Sequence, residues 1–241
     1  MKQAVIVGAT SGIGREVAKL LLAEGWKIGA AGRRREELES LKAMAPDKVE
    51  IQPLDVTSEE APQLLQQLID KLGGMDLYFH SSGIGFQNPS LDVEVEMRTV
   101  KTNGDGFVCM VTAAFHYFKQ TGREGHIAAI SSIAGTRGLG IASAYSATKA
   151  FQNTYLQCLT QLARMQHLSI RFTDIRPGFV RTALLKDGSY PMQLTPEYTA
   201  RKIVSALKRG KRIAIIDWKY RILVGFWRLI PRWLWERLPV K

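Results

Sequence analysis

Short apolar, β-branched runs alternate along the chain with longer stretches whose apolar positions recur every three or four residues. Ala4 to Val7, Lys27 to Ala31, Val49 to Leu54, Asp76 to Phe79, His126 to Ile130, Ser169 to Ile175 and Arg212 to Ile216 read as strands. Between them, Arg15 to Glu24 carries helical spacing and stops at Gly25, and Ser58 to Leu72 stops at Gly73-Gly74. Thr195, followed by Pro196, caps a further helix running toward Gly210. Strand then helix, repeated, predicts an α/β fold: a doubly wound sheet of about seven parallel strands with helices on both faces.

The pattern changes after Ile216, where aromatic and basic residues take over, so residues 1–217 are expected to form one domain and 218–241 an appendage. At 46% hydrophobic and 23% charged, the composition is that of a globular chain able to bury a core without staples. Cys109 and Cys158 sit in apolar runs without metal-ligand spacing, and the reading is two buried small hydrophobes, with neither a zinc site nor a disulfide. His80, His116, His126 and His167 are scattered without a triad context and read as structural. No leader-like segment opens the sequence, so residence on the cytoplasmic side is expected.

At the first strand-to-helix turn stands Gly8-Ala9-Thr10-Ser11-Gly12-Ile13-Gly14. Three glycines there allow a tight turn, close backbone approach to a pyrophosphate and helix-to-strand contact, with the helix N-terminus facing the phosphates. After the second strand, where an NAD enzyme would place an acid, stand Gly32, Arg33, Arg34 and Arg35. Arginine grips a 2′-phosphate that an acid would repel, which points to NADP(H).

Tyr145 and Lys149, four residues apart, share one helix face, thirteen residues after Ser132. A neighbouring ammonium favours the phenolate and should move the tyrosine toward the working pH range. Ser131-Ser132 ends the fifth strand, where open α/β sheets bind ligands. Ser132 is read as functional and Ser131 as structural.

With G-x-x-x-G-x-G rather than G-x-G-x-x-G, and with these residues in this order, the chain resembles the short-chain dehydrogenase/reductase superfamily and its Rossmann-type fold over Ala4 to Ile216. The resemblance implies that Ser132 hydrogen-bonds the substrate oxygen, Tyr145 passes the proton, and Lys149 holds the nicotinamide ribose. It gives Asn103 a proton-relaying water and places Asp55 and Val56 at the adenine. It makes Pro177, Gly178, Val180 and Thr182 cofactor contacts, Thr182 on the carboxamide. Where the family carries Asn-Asn-Ala-Gly, this chain has His80-Ser81-Ser82-Gly83, so only the Gly83 contact carries over; Val7 also replaces the usual Thr. The activity implied is interconversion of a ketone and a secondary alcohol. The alternative is a non-catalytic dinucleotide sensor, which the complete Ser132, Tyr145 and Lys149 set argues against. Segments 87–95 and 183–194, with Leu184, Leu185, Tyr190, Pro191 and Met192, are expected to form an apolar substrate pocket, which points to a hydrophobic, lipid-like substrate.

Of the net charge of +11, the stretch from Arg201 to Lys241 carries +10. Trp218, Trp227, Trp233 and Trp235 alternate there with Arg221, Arg228, Arg232 and Arg237. The segment is too apolar for a nucleic-acid surface and too interrupted by charge for a span. Two readings stay open: peripheral attachment to an anionic membrane, on its inner face, or an arm packed on the body or a second subunit of a homo-oligomer. Pro231 is expected to break any helix through it.

Overall fold

Strands β1 (Gln3–Val7), β2 (Lys27–Gly32), β3 (Val49–Pro53), β4 (Leu77–His80), β5 (Gly125–Ile130), β6 (Ile170–Arg176) and β7 (Ile213–Ile215) pair in parallel in the order β3-β2-β1-β4-β5-β6-β7. They belong to a computed structural model that describes residues 1–182, 185 and 190–240. Helices α1 (Gly12–Ala23), α2 (Arg35–Ala43) and α7 (Pro196–Lys208) cover one face; α3 (Ala61–Leu72), α5 (Gly106–Thr121) and α6 (Ser143–Met165) cover the other. The short α4 (Val93–Val100) precedes α5, separated from it by a π-helical turn, Lys101–Asp105.

The period of two divides each strand between two cores. Val5 and Val7 join Tyr78, Ile127 and Ala129 beneath α3, α5 and α6, whereas Ala4 and Ile6 join Ile28, Phe79 and Ala128 beneath α1, α2 and α7. Burial on both sides explains why the strands read as unbroken apolar runs. The expected doubly wound parallel sheet is therefore the one observed, with strand ends shifted by a residue or two.

Cys109 and Cys158 correct the expectation of burial, because both are exposed. The apolar runs around them are helical. On α5 the buried stripe is Phe107, Met110, Val111 and Ala114, and on α6 it is Leu156 and Leu159, which turns both thiols outward.

The C-terminal segment packs on the body. It forms α8 (Trp218–Leu229) and α9 (Arg232–Trp235), separated by extended Ile230 and by Pro231, where the break was expected. Tyr220 and Val224 are fully buried against Ile133, with Phe179, Leu194 and Ile215 around them. Gly178 makes this possible: a Cβ there would lie 2.1 Å from Cζ of Tyr220. Arg137 donates to the carbonyls of Trp227, Arg228 and Ile230 at the end of α8, and Trp235 Nε1 donates to Gly138 O at 2.8 Å.

Candidate active site

Parallel strands bring their carboxyl ends to one edge of the sheet, and the residues singled out in the sequence gather along that edge. Gly8, Thr10 and Ser11 connect β1 to α1, and Gly12, Ile13 and Gly14 form its first turn; Arg33 and Arg34 follow β2; Asp55 and Val56 follow β3; Gly83 follows β4. Ser132 follows β5, Tyr145 and Lys149 lie in the first turns of α6, and Pro177, Gly178, Val180 and Thr182 follow β6.

The glycine loop leaves a cradle. Gly8 and Gly12 have positive φ, and a Cβ at Gly12 would sit 3.1 Å from the Thr182 methyl. A side chain here would fill the gap between the first and sixth strand ends, as a bound dinucleotide requires it to stay open. At the outer end Arg33 Nη1 lies 3.9 Å from Asp55 Oδ2, and Arg34 Nη2 donates to Thr10 Oγ1 at 3.1 Å. A Cβ on Gly32 would approach Thr10 Cγ2 to 2.7 Å, so an acid at the position that would favour NAD requires the Thr10 side chain to move. Partial burial raises the Asp55 carboxyl, but hydrogen bonds from Thr57 N and Oγ1 and the nearby Arg33 charge outweigh it and hold the pKa below the ordinary value. The residues present fit a dinucleotide with an anionic group at the Arg33 end.

At the inner end, the phenol of Tyr145 is near enough to Ser132 for that hydroxyl to pull its pKa down, and Ser132 Oγ accepts from Ala134 N at 3.1 Å. Lys149 Nζ stands 5.6 Å from the centre of the Tyr145 ring, donating to Ile130 O and to Gln152 Oε1, both at 3.0 Å. Burial pushes the Tyr145 phenol above its ordinary value, and Ser132 offsets this only in part. Burial also lowers Lys149 to about 8, against the opposing pull of Asp174. The expectation that Lys149 would bring Tyr145 down is thus corrected. Desolvation of the phenolate sets the direction, and the influence that opposes it comes from Ser132.

Asn103 is fully buried in the π-helical turn. Its side chain spans the Ile84 backbone, accepting from N at 2.9 Å and donating to O at 2.7 Å, with Thr148 Oγ1 at 3.3 Å. Its carbonyl, freed from the regular ladder by the wider turn, accepts Gln152 Nε2 at 2.9 Å. Gln152 thus bridges Asn103 O and Lys149 Nζ.

Gln152 is the principal residue that sequence reasoning missed. Its signal was its spacing, one helical turn past Lys149 on the same face. Gly85 was missed too: a Cβ there would strike the Tyr145 ring at 2.7 Å. Glu96 on α4 accepts from Ala144 N at the start of α6 at 2.9 Å and from Asn88 Nδ2 at 2.8 Å, tying the segment after β4 to the helix that carries Tyr145. Asp174 is the buried partner of Ser131 and is gripped by Arg176 at 2.7 and 2.6 Å. His80, buried at the end of β4, is held neutral, its pKa lowered to about 3 by burial and then by the Lys149 charge.

The two segments expected to bind substrate meet where they are described: Gln87 Nε2 lies 3.4 Å from Tyr190 Oη, and the Phe179 and Tyr190 rings are 4.8 Å apart. Leu184 lies outside the described residues. The base of the second segment is tied, Leu194 N donating to Phe179 O and Arg181 N to Leu194 O, and Tyr220 Oη reaches both ends, accepting from Phe179 N and donating to Met192 O, each at 3.0 Å.

A model of the short chain dehydrogenase family matches residues 2–192. An uncharacterized oxidoreductase of Myxococcus xanthus is 30% identical over 98% of this chain and 95% of its own. One from Mycobacterium tuberculosis is 31% identical over 95% of this chain and 94% of its own. A solved 3-ketoacyl-(acyl-carrier-protein) reductase from Brucella melitensis, complexed with NADH, is similar at a TM-score of 0.80 and 25% identity, over 90% of this chain and 96% of its own.

Proposed function

Because the chain belongs to the short-chain dehydrogenase family and is an oxidoreductase of it, we propose that it interconverts a ketone and a secondary alcohol using NADP(H), with Tyr145 exchanging the proton. The observation that carries this reading is the Tyr145 phenol, next to Ser132 and backed by Lys149, at the sheet edge beside the glycine cradle. Nicotinamide, when bound, supplies or accepts the hydride.

The remaining chemistry falls to the chain. Ser132 and Tyr145 present two hydroxyl protons to one substrate oxygen, orienting the carbonyl and taking up the charge that develops on it. Tyr145 gives its proton to that oxygen in reduction and takes it back in oxidation. Lys149, anchored by Ile130 O and Gln152, offers its remaining proton to the ribose and keeps a positive charge near the phenolate that forms. Gly8, Thr10, Ser11, Gly12, Ile13 and Gly14 would hold the pyrophosphate, Asp55, Val56 and Gly83 the adenosine half, and Pro177, Gly178, Val180 and Thr182 the nicotinamide half. Arg33 and Arg34 favour the 2′-phosphate, and the crowding of Gly32 by Thr10 supports that preference. Phe179, Tyr190 and the apolar residues around them favour a hydrophobic substrate. The similar Brucella protein, a 3-ketoacyl reductase, supports a carbonyl substrate.

The test is NADPH oxidation against 3-oxo-acyl chains of increasing length, sphingoid ketones and steroids. Turnover that improves with chain length is expected. Cofactor binding without turnover on any carbonyl would favour a sensor, and kcat/KM that falls steadily with chain length would remove the hydrophobic substrate from the reading.

A further inference from the structure

Two apolar stripes run along α8 on opposite sides. Tyr220, Val224 and Trp227 face the body. Trp218, Ile222, Phe226 and Leu229 face outward, 60, 50, 65 and 78% exposed. Their spacing of four, four and three residues puts them within a sector of about 80° at about 100° per residue, across the helix from Tyr220. On the same wheel Lys219 borders one side of the sector, and Arg221 and Arg228 border the other. Trp233, Leu234 and Leu238 extend the exposed apolar surface beyond Pro231.

A contiguous apolar surface of this kind on a folded chain marks a place where something binds. Its chemistry narrows the choice. Four large apolar side chains occupy the centre, where a phosphate-tracking surface would carry cations. The cations lie at the border instead, in a stretch from Arg201 to Lys241 that carries +10 of the chain's +11. An apolar centre with a basic border and tryptophans at both ends complements an anionic bilayer surface, with acyl chains for the stripe and headgroup phosphates for the border. Among the described residues no helix is long and apolar enough to cross a membrane, so the contact lies in the plane of the interface.

We propose that α8 and α9 form a rigid platform that docks the protein on anionic lipid bilayers. The platform is built before it meets lipid, because Tyr220 is buried under Gly178, Arg137 caps the end of α8 and Trp235 is bonded to Gly138. Docking therefore costs little ordering of the chain, unlike a tail that folds on the surface. Tyr220, on the inner side of the same helix, bonds Phe179 and Met192, so docking ties these two residues to the helix on the bilayer. The proposal goes beyond the reductase reading and stands if that reading fails, since lipid binding is read without turnover.

The test is co-sedimentation of the full chain with vesicles of phosphatidylcholine and phosphatidylglycerol, two to one, and with phosphatidylcholine alone. Binding to the mixed vesicles should exceed that to the neutral ones by about tenfold, and should fall as salt rises from about 0.1 to about 1 M and the Debye length contracts from about 10 to about 3 Å. The double variant Ile222→Ser with Phe226→Ser alters only exposed side chains. It should lower binding about tenfold while leaving the melting temperature, oligomeric state and turnover of soluble substrates unchanged. Lys219→Gln with Arg228→Gln should remove the preference for anionic lipid. Absence of pelleting with mixed vesicles, or equal pelleting of the Ile222/Phe226 variant, would overturn the proposal. So would a change of oligomeric state in that variant without lipid, which would identify the stripe as a contact with a second copy, or retention on RNA in place of vesicles.

Discussion

A phenol held above its ordinary range stays protonated at neutral pH, so burial keeps Tyr145 in the acid form that the proposed reduction needs while making it a weaker acid. Lys149 is lowered to about 8, so its ammonium is present below that value and lost above it. For ketone reduction, kcat/KM should stay level through neutral pH and decline as pH rises through about 8; a flat profile to pH 10 would detach Lys149 from the reaction. Tyr145→Phe should reduce kcat by about a hundredfold to ten-thousandfold, the usual worth of a positioned general acid, with cofactor affinity nearly intact. A wild-type kcat in that variant would sink the mechanism. Gln152 is argued to act through Lys149. Gln152→Glu adds a negative charge beside the ammonium and should move the alkaline limb to higher pH. Gln152→Leu leaves the Asn103 carbonyl unpaired and should move the limb lower, with kcat reduced about tenfold. A limb that stays put in both variants would make Gln152 merely structural.

Strands, helix stops and the glycine loop were readable because each rests on one local rule: apolar runs, helical spacing ended by glycine, and a turn that needs positive φ. The tetrad residues were readable for a different reason, since Ser132, Tyr145 and Lys149 fall in a recognisable order. What the sequence hid is what depends on packing between distant elements. Periodicity in α8 combines two stripes that face opposite ways, and the burial of Tyr220 under Gly178 left no local trace. Gln152 and the π-helical turn were hidden because a bulge of one residue does not alter the apolar pattern. The pKa of Tyr145 was misjudged because neighbours can be counted from spacing and burial cannot. The Tyr220 arrangement yields a prediction. Removing its hydroxyl in Tyr220→Phe leaves Phe179 N without that partner, which should cost about 1–3 kcal/mol in denaturant unfolding and raise KM for apolar substrates more than it lowers kcat. Unchanged stability and KM would show that the helix does not tie the substrate segment. Ending the chain at Asp217 is a poorer test, because it uncovers Ile133, next to Ser132.

Binding of the dinucleotide would engage residues after β1, β2, β3, β4 and β6 together with α6, so most of the sheet shares in the stabilisation. Any ligand that binds only the native chain stabilises it by mass action, about 2.7 kcal/mol at a hundred times its Kd. For a chain of this length each kcal/mol raises Tm by about 2–4 °C, so NADPH at that concentration should raise it by about 5–10 °C. NADH lacks the 2′-phosphate that the proposed NADP(H) reading assigns to Arg33 and Arg34. Loss of one charge-assisted hydrogen bond, worth about 1.5 kcal/mol, weakens binding about tenfold. At the same concentration NADH should then raise Tm by only about half as much. Arg33 is exposed and its ion pair with Asp55 is long, at 3.9 Å, so Arg33→Ala should leave the Tm of the free protein unchanged. It should bring the two cofactor shifts together. Equal shifts in the wild type would end the NADP(H) assignment, and a difference that survives Arg33→Ala would transfer the phosphate contact to Arg34, already bonded to Thr10 in the glycine loop.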